Sequence, residues 1–316
     1  MDSQENQKIS PTLLIFNAVF VILIIAMVFV IYNSIKKPVK EAENESDKIA
    51  LTHAFDNIDL EAKAVYVYDV VNDKTIFGKN ENAQLPLASL TKLMMALTAS
   101  DLLPENSRIT IKKEFLSTEG DSGLLANESW ALKDLLDFSL VVSSNDGARS
   151  VASVIGATLA QNDDYEMGRK DFIVRMNNKA QELGLNEMYF INESGLDEGQ
   201  TSGGYGSAKN IEKLMQYMLT KKPDILEATK YSSLAIDSIS KEHRAVNTNI
   251  EINQIPGLIA SKTGYTDLAG GNLAIAFDAS IGRPIIVVVL GSSEKGRFTD
   301  VNSLVKSTME YVQNSN

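Results

Sequence analysis

The apolar positions fall into three regimes along the chain. Residues 13–32 are apolar at every position except Asn17. At about 1.5 Å rise per residue such a run spans the roughly 30 Å hydrocarbon core of a bilayer, so a transmembrane helix is expected there, after a short N-terminal tail over residues 1–12. Residues 33–52 are rich in Lys, Glu, Asn and Ser and include Pro38. They read as a stalk or linker that cannot bury enough apolar surface to pack. From residue 53 to 316 the pattern becomes that of a folded domain. Residues 62–71 carry β-branched and aromatic side chains, Asn72-Asp73 supplies a turn, and 75–78 begin a return strand, which together predict a hairpin. Pro86 and Ala88-Ser89 lead into 90–103, whose Leu and Met recur at helical spacing, so a helix is expected to begin at Ser89. Helices are also predicted over 130–142, 146–155, 171–183 and 208–219. Strands follow at 257–262, 271–278 and 284–290, with a closing helix at 300–312. Strands at both ends enclosing a helical middle imply an α+β domain. Its antiparallel sheet is built from both chain ends and flanked by helices, with a helical subdomain and a crevice between the two.

Composition narrows the chemistry. The chain has 316 residues, 44% of them hydrophobic, and a formal net charge of -11. With no basic surplus to neutralise phosphates, nucleic acid is excluded as a partner, and an anionic substrate would need a local basic pocket. Cysteine is absent and only His53 and His243 occur, in no cluster. Disulfides, thiol catalysis, Ser-His-Asp chemistry and cysteine- or histidine-based metal sites therefore have little to work with. An activated serine in this chain must borrow another base.

The N-terminal apolar run is longer than a signal-peptide core. Asn33-Ser34-Ile35-Lys36-Lys37 stands where a small-x-small cleavage site would be, so an uncleaved anchor is expected. Lys36, Lys37 and Lys40 follow the run while Lys8 precedes it, a count that by itself favours a cytoplasmic domain. Long domains, however, translocate largely regardless of charge.

Three short motifs stand out in order. In Ser89-Leu90-Thr91-Lys92 the first and fourth residues share a helix face, so Lys92 can reach the Ser89 hydroxyl. A lysine serves as base only when deprotonated, which burial and a second cation such as Lys262 would promote. Alone, the motif better fits an N-cap serine with a surface lysine, and only the other two motifs reverse that reading. In Ser143-Ser144-Asn145, Ser143 can relay a proton and Asn145 can bond a substrate amide or fix Lys92, although the same residues make a good inter-helix turn. In Lys262-Thr263-Gly264 a cation, a hydroxyl and a glycine open to close approach lie in a row. An edge-strand lysine before a turn would look the same.

Taken together, S-x-x-K, S-x-N and K-T-G resemble the motif set of penicillin-binding proteins and class A β-lactamases. With the segment Phe190 to Asp197, the run Lys262 to Thr266 and Val289-Leu290-Gly291, residues 53–312 resemble the serine-type D-alanyl-D-alanine carboxypeptidases, the low-molecular-mass penicillin-binding proteins. The resemblance implies a transpeptidase/β-lactamase-like fold and an acyl-enzyme on Ser89. The substrate it implies is the terminal D-Ala-D-Ala of peptidoglycan stem peptides, with β-lactam antibiotics as acylating inhibitors and no cofactor or metal. It places the catalytic domain outside the cytoplasmic membrane of a bacterium, anchored by the N-terminal helix. It also implies an oxyanion hole from the backbone N–H groups of Ser89 and Tyr265, and an Arg297 near the substrate's terminal carboxylate, although Arg297 also fits a solvated arginine leading a helix. The chain ends soon after the closing helix, so the extra C-terminal β-domain of some relatives is not expected. The alternatives are an endopeptidase on cross-links, a β-lactamase and an idle membrane scaffold. Glu182-Leu183-Gly184-Leu185-Asn186 resembles the deacylating E-x-x-L-N loop of β-lactamases, but it falls at the expected end of a helix.

Overall fold

Two hydrophobic faces of one sheet organise the domain. The computed structural model describes residues 54–314 except 57, 118 and 121, together with the isolated positions 23 and 27. Apart from those two positions, the expected tail, membrane helix and linker lie outside the described residues. Among the described residues no helix is long and apolar enough to cross a membrane.

In chain order, strands β1 (Ala64–Asp69) and β2 (Lys74–Lys79) form the predicted hairpin, and β3 (Leu85–Pro86) follows. Helix α1 (Thr91–Leu102) leads to β4 (Arg108–Thr110), β5 (Ser129–Ala131) and α2 (Leu132–Val141). Next come α3 (Asn145–Ala160), α4 (Tyr165–Glu182), β6 (Tyr189–Phe190), β7 (Gly204–Gly206) and α5 (Ala208–Lys221). A turn of helix, α6 (Asp224–Glu227), precedes the hairpin of β8 (Ser233–Asp237) and β9 (Glu242–Val246). Strands β10 (Leu258–Thr266), β11 (Gly270–Asp278) and β12 (Pro284–Ser292) and helix α7 (Gly296–Asn314) complete the domain.

The main sheet runs β10-β11-β12-β1-β2 with every pairing antiparallel, so both chain ends build it. Strand β12 is a continuous apolar run because both faces are covered. Ile286, Val288 and Leu290 join the core under the helical layer, while Ile285, Val287 and Val289 pack on the side of α7. Helix α1 is buried from Thr91 to Ala99 without a polar face, which places it inside the helical layer rather than on the surface.

Several boundaries depart from the pattern-based expectation. Trp130 belongs to a strand, paired with Ile109, and the helix begins only at Leu132. Helix α4 starts at Tyr165, where the Asp164 side chain accepts from the Met167 N–H. Strand β10 runs on to Thr266, so Lys262-Thr263-Gly264 lies within the strand rather than at its end.

Candidate active site

Ser89 sits in a 3-10 turn, Ala88–Leu90, that feeds directly into α1, and the preceding Ala88 holds a left-handed φ of 47°. A non-glycine residue in that region is strained, and such strain gathers where geometry is over-determined. One helical turn on, Lys92 is fully buried. Its Nζ donates to Asn145 Oδ1 at 2.7 Å and to the Ser194 carbonyl at 2.9 Å, and lies 2.9 Å from Ser89 Oγ. A neutral amine has two hydrogens and one lone pair. The two carbonyl oxygens take both hydrogens, so the lone pair is left for the Ser89 hydroxyl. Burial pulls the Lys92 ammonium down to about 7, opposed by the Glu193 carboxylate, which favours the charged form.

The second motif joins α2 to α3. Ser143 takes a φ of 60° at the junction, and Ser144 caps α3 by accepting from the Gly147 N–H. Asn145 donates through Nδ2 to the Glu119 carbonyl at 2.7 Å, which fixes its amide so that Oδ1 faces Lys92. Across the crevice, Lys262 Nζ donates to Ser143 Oγ and to the Thr263 carbonyl, both at 2.9 Å. Thr263 Oγ1 is 2.5 Å from Thr248 Oγ1. Burial, with the cations Lys92 and Arg297 nearby, lowers Lys262 well below its ordinary value. The expected fixed positive charge is therefore opposed in the free site, and an anionic ligand would supply the missing counter-charge.

Gly264 brings the strand up to the serine. A Cβ there would stand 3.0 Å from the Leu87 carbonyl oxygen and 3.1 Å from the Ser89 amide nitrogen. Tyr265, next along the strand, is 46% exposed at the crevice wall. Arg297 is 8% exposed and lies in the first turn of α7, so it is not a solvated leading arginine. Its Nη1 donates to the Gly264 carbonyl at 2.7 Å, its guanidinium lies 5.9 Å from the Tyr265 ring centroid, and its buried Nε has no partner among the described residues.

The structure thus brings together two hydrogen-bonded sets, Ser89–Lys92–Asn145 and Ser143–Lys262, whose lysines are close enough to act on each other electrostatically, with Thr263, Gly264, Tyr265 and Arg297 along one wall. Pattern reading missed Glu119 and Thr248, and it gave no role to Glu193 or the Ser194 carbonyl although both lie in the segment Phe190 to Asp197 that carries the resemblance. None carries a spacing signal, since each meets the site through tertiary contact. Glu182 has its carboxylate at the exposed end of α4, paired with Lys179 at 3.0 Å, so the E-x-x-L-N segment presents no base to the serine. His243 is also partnered: its Nε2 lies 2.6 Å from Glu128 Oε1 within the helical core, packed against Trp130 and Phe138.

The arrangement can acylate a serine through a lysine base and conduct a proton along a second lysine–serine pair. Comparison with known proteins agrees with that chemistry. The sequence profile of the D-alanyl-D-alanine carboxypeptidases matches residues 50–294. The chain is 28% identical over 252 residues to the D-alanyl-D-alanine carboxypeptidase DacF of Bacillus subtilis, covering 78% of this chain and 61% of that one, so it spans under two thirds of that relative. It is 30% identical over 219 residues to a D-alanyl-D-alanine endopeptidase of Haemophilus influenzae, covering 67% of this chain and 69% of the relative. Among solved structures, penicillin-binding protein D2 of Listeria monocytogenes in its ampicillin-bound form superposes with a TM-score of 0.67 at 29% identity, covering 79% of this chain and 98% of that one. A profile that runs from before the first strand of the sheet to the loop after its last, together with a shared fold, leaves one conclusion: the chain belongs to the D-alanyl-D-alanine carboxypeptidase family of serine peptidases.

Proposed function

We propose that this protein is a membrane-anchored D-alanyl-D-alanine carboxypeptidase that trims peptidoglycan stem peptides on the outer side of a bacterial cytoplasmic membrane. The observation that carries the chemistry is the placement of Lys92, whose amine has both hydrogens occupied by carbonyl oxygens and its remaining valence toward Ser89 Oγ. Neutral Lys92 removes the hydroxyl proton as Ser89 Oγ attacks the carbonyl carbon of the penultimate D-alanine. The oxyanion forms beside the backbone N–H groups of Ser89 and Tyr265. The peptide C–N bond then breaks, and the departing D-alanine amine takes a proton from Ser143, held by its hydrogen bond from Lys262; Ser143 is resupplied with the proton that Lys92 took from Ser89, so Lys92 is neutral again. The terminal carboxylate of the substrate lies toward Thr263 and the unpaired Nε of Arg297, and its charge restores the ammonium of Lys262. Water, deprotonated by the same Lys92, hydrolyses the ester and returns Ser89.

β-Lactams enter by the same attack, with the ring amide in place of the peptide, a reading supported by the ampicillin-bound Listeria relative. Anchoring rests on the apolar run at 13–32. Cleavage of cross-links is the second reading, favoured by the likeness to the Haemophilus endopeptidase. A fluorescent penicillin should label the protein covalently and fail to label Ser89→Ala. Purified muropeptides should release free D-alanine from pentapeptides; cleaved dimers with intact pentapeptides would establish the second reading instead.

A further inference from the structure

Helices α3 and α4 cross where Gly156 meets Gly168. A Cβ on Gly168 would fall 2.3 Å from the Ala157 backbone nitrogen, so the crossing admits only glycine. The close approach carries the next residue, Arg169, over the 190–196 loop, where its Nη1 donates to Glu193 at 2.8 Å. Glu193 is 3% exposed, and the following carbonyl, that of Ser194, accepts from Lys92. Few residue types would be less welcome beside a lysine base than a buried carboxylate, because an uncompensated anion holds the amine as ammonium.

The charges around the pair come from four elements. Lys92 faces Glu193 from the loop and Lys262 from β10, and Lys262 in turn faces Arg297 from α7. Arg169 meets Glu193 and also bonds Glu166 through Nε at 3.3 Å, while Arg149 of α3 lies 3.8 Å from Glu166. Arg169 is thus the cation in direct contact with the carboxylate that acts on Lys92.

We propose that Arg169 and Glu193 are positioning residues for acylation: together they pin the loop whose Ser194 carbonyl orients the Lys92 amine and meter the negative charge acting on it. The inference rests on the reading of Lys92 as base. Removing Arg169 frees the Glu193 charge and stabilises the Lys92 ammonium, so a higher pH is needed for attack. Removing the Glu193 charge does the reverse.

The test uses the full-length protein and the rate of acylation by fluorescent penicillin from about pH 5.5 to 9. The acidic limb should move up by about one pH unit in Arg169→Gln and down by a similar amount in Glu193→Gln. It should stay near wild type in Arg169→Lys and return toward wild type in the double variant Arg169→Gln/Glu193→Gln. Unmoved limbs in folded single variants, with only a lower melting temperature, would overturn the proposal. Should Arg169→Gln fail to fold, the nearly isosteric Glu193→Gln decides alone. A wild-type profile with no acidic limb, or undiminished labelling of Lys92→Gln, would instead overturn the reading of Lys92 on which the inference stands.

Discussion

Lys92 makes pH the most direct probe of the site at the scale of single residues. Its ammonium loses its proton near 7 because it is fully desolvated. Below that value the amine is protonated and cannot accept from Ser89, and above it the base is free. The second-order rate of β-lactam acylation should therefore fall about tenfold per pH unit on the acid side of 7 and level off above it. Stopped-flow acylation across that range measures it. Lys92→Arg keeps the charge but not the basicity, since a guanidinium does not deprotonate in a protein, and should lose acylation by about a thousandfold or more at every pH. Gly264 tests the strand side of the crevice. Gly264→Ala pushes a methyl against the Ser89 amide and the Leu87 carbonyl, and should slow acylation by about a hundredfold, because an ångström of misplacement costs about that much.

The residues of the three motifs were legible because Ser89 and Lys92 are joined by helix periodicity, and because the near absence of histidine leaves lysine as the base. Glu193 and Arg169 were not. They stand 24 positions apart and meet only because two glycines let α3 and α4 close on each other.

Among the elements, strands of continuous apolar character such as β12 announced themselves, and the enclosure of helices by strands at both chain ends foretold a sheet closed from the two termini. Trp130 misled the pattern because it continues the helical spacing of apolar positions over 130–142. The pairing that makes it a strand is with Ile109, whose own neighbourhood carries little signal. The closure itself depends on a buried carboxylate. Asp300 of α7 accepts from the Glu61 and Ala62 backbone N–H groups at 3.1 and 2.9 Å, and from Ser292 Oγ of β12 at 2.7 Å. It ties the entry to β1, the end of β12 and the last helix at one point. Asp300→Ala leaves the Ala62 N–H and the Ser292 hydroxyl buried without their acceptor and should destabilise the fold by about 3 kcal/mol. In a domain of this size that lowers the melting temperature by about 6–12 °C. Asp300→Asn, which keeps one acceptor oxygen, should lose less. Calorimetry on the two variants orders them, and equal melting temperatures for wild type and Asp300→Ala would refute this account of the closure.

On the scale of the whole molecule, the two hydrophobic cores are assembled from residues between Ala54 and Val312. The hydrogen bonds that hold Ser89, Lys92, Ser143, Asn145 and Lys262 are likewise made within that span. On the proposed reading, catalytic geometry and anchoring are then separable properties, the first written in the packed domain and the second assigned to the apolar run at 13–32. A chain lacking residues 1–48 should acylate with soluble penicillin within about twofold of the full-length rate, because the barrier is set by groups whose partners all remain. It should nevertheless leave the membrane fraction and lose access to peptidoglycan held at the membrane surface, since no helix among the described residues is long and apolar enough to cross a membrane. Fractionation of cells expressing the two forms, with penicillin labelling of each fraction, separates the properties. Labelling lost together with the membrane association would mean that the N-terminal segment contributes to the site itself, and the division of labour argued from the cores would fail.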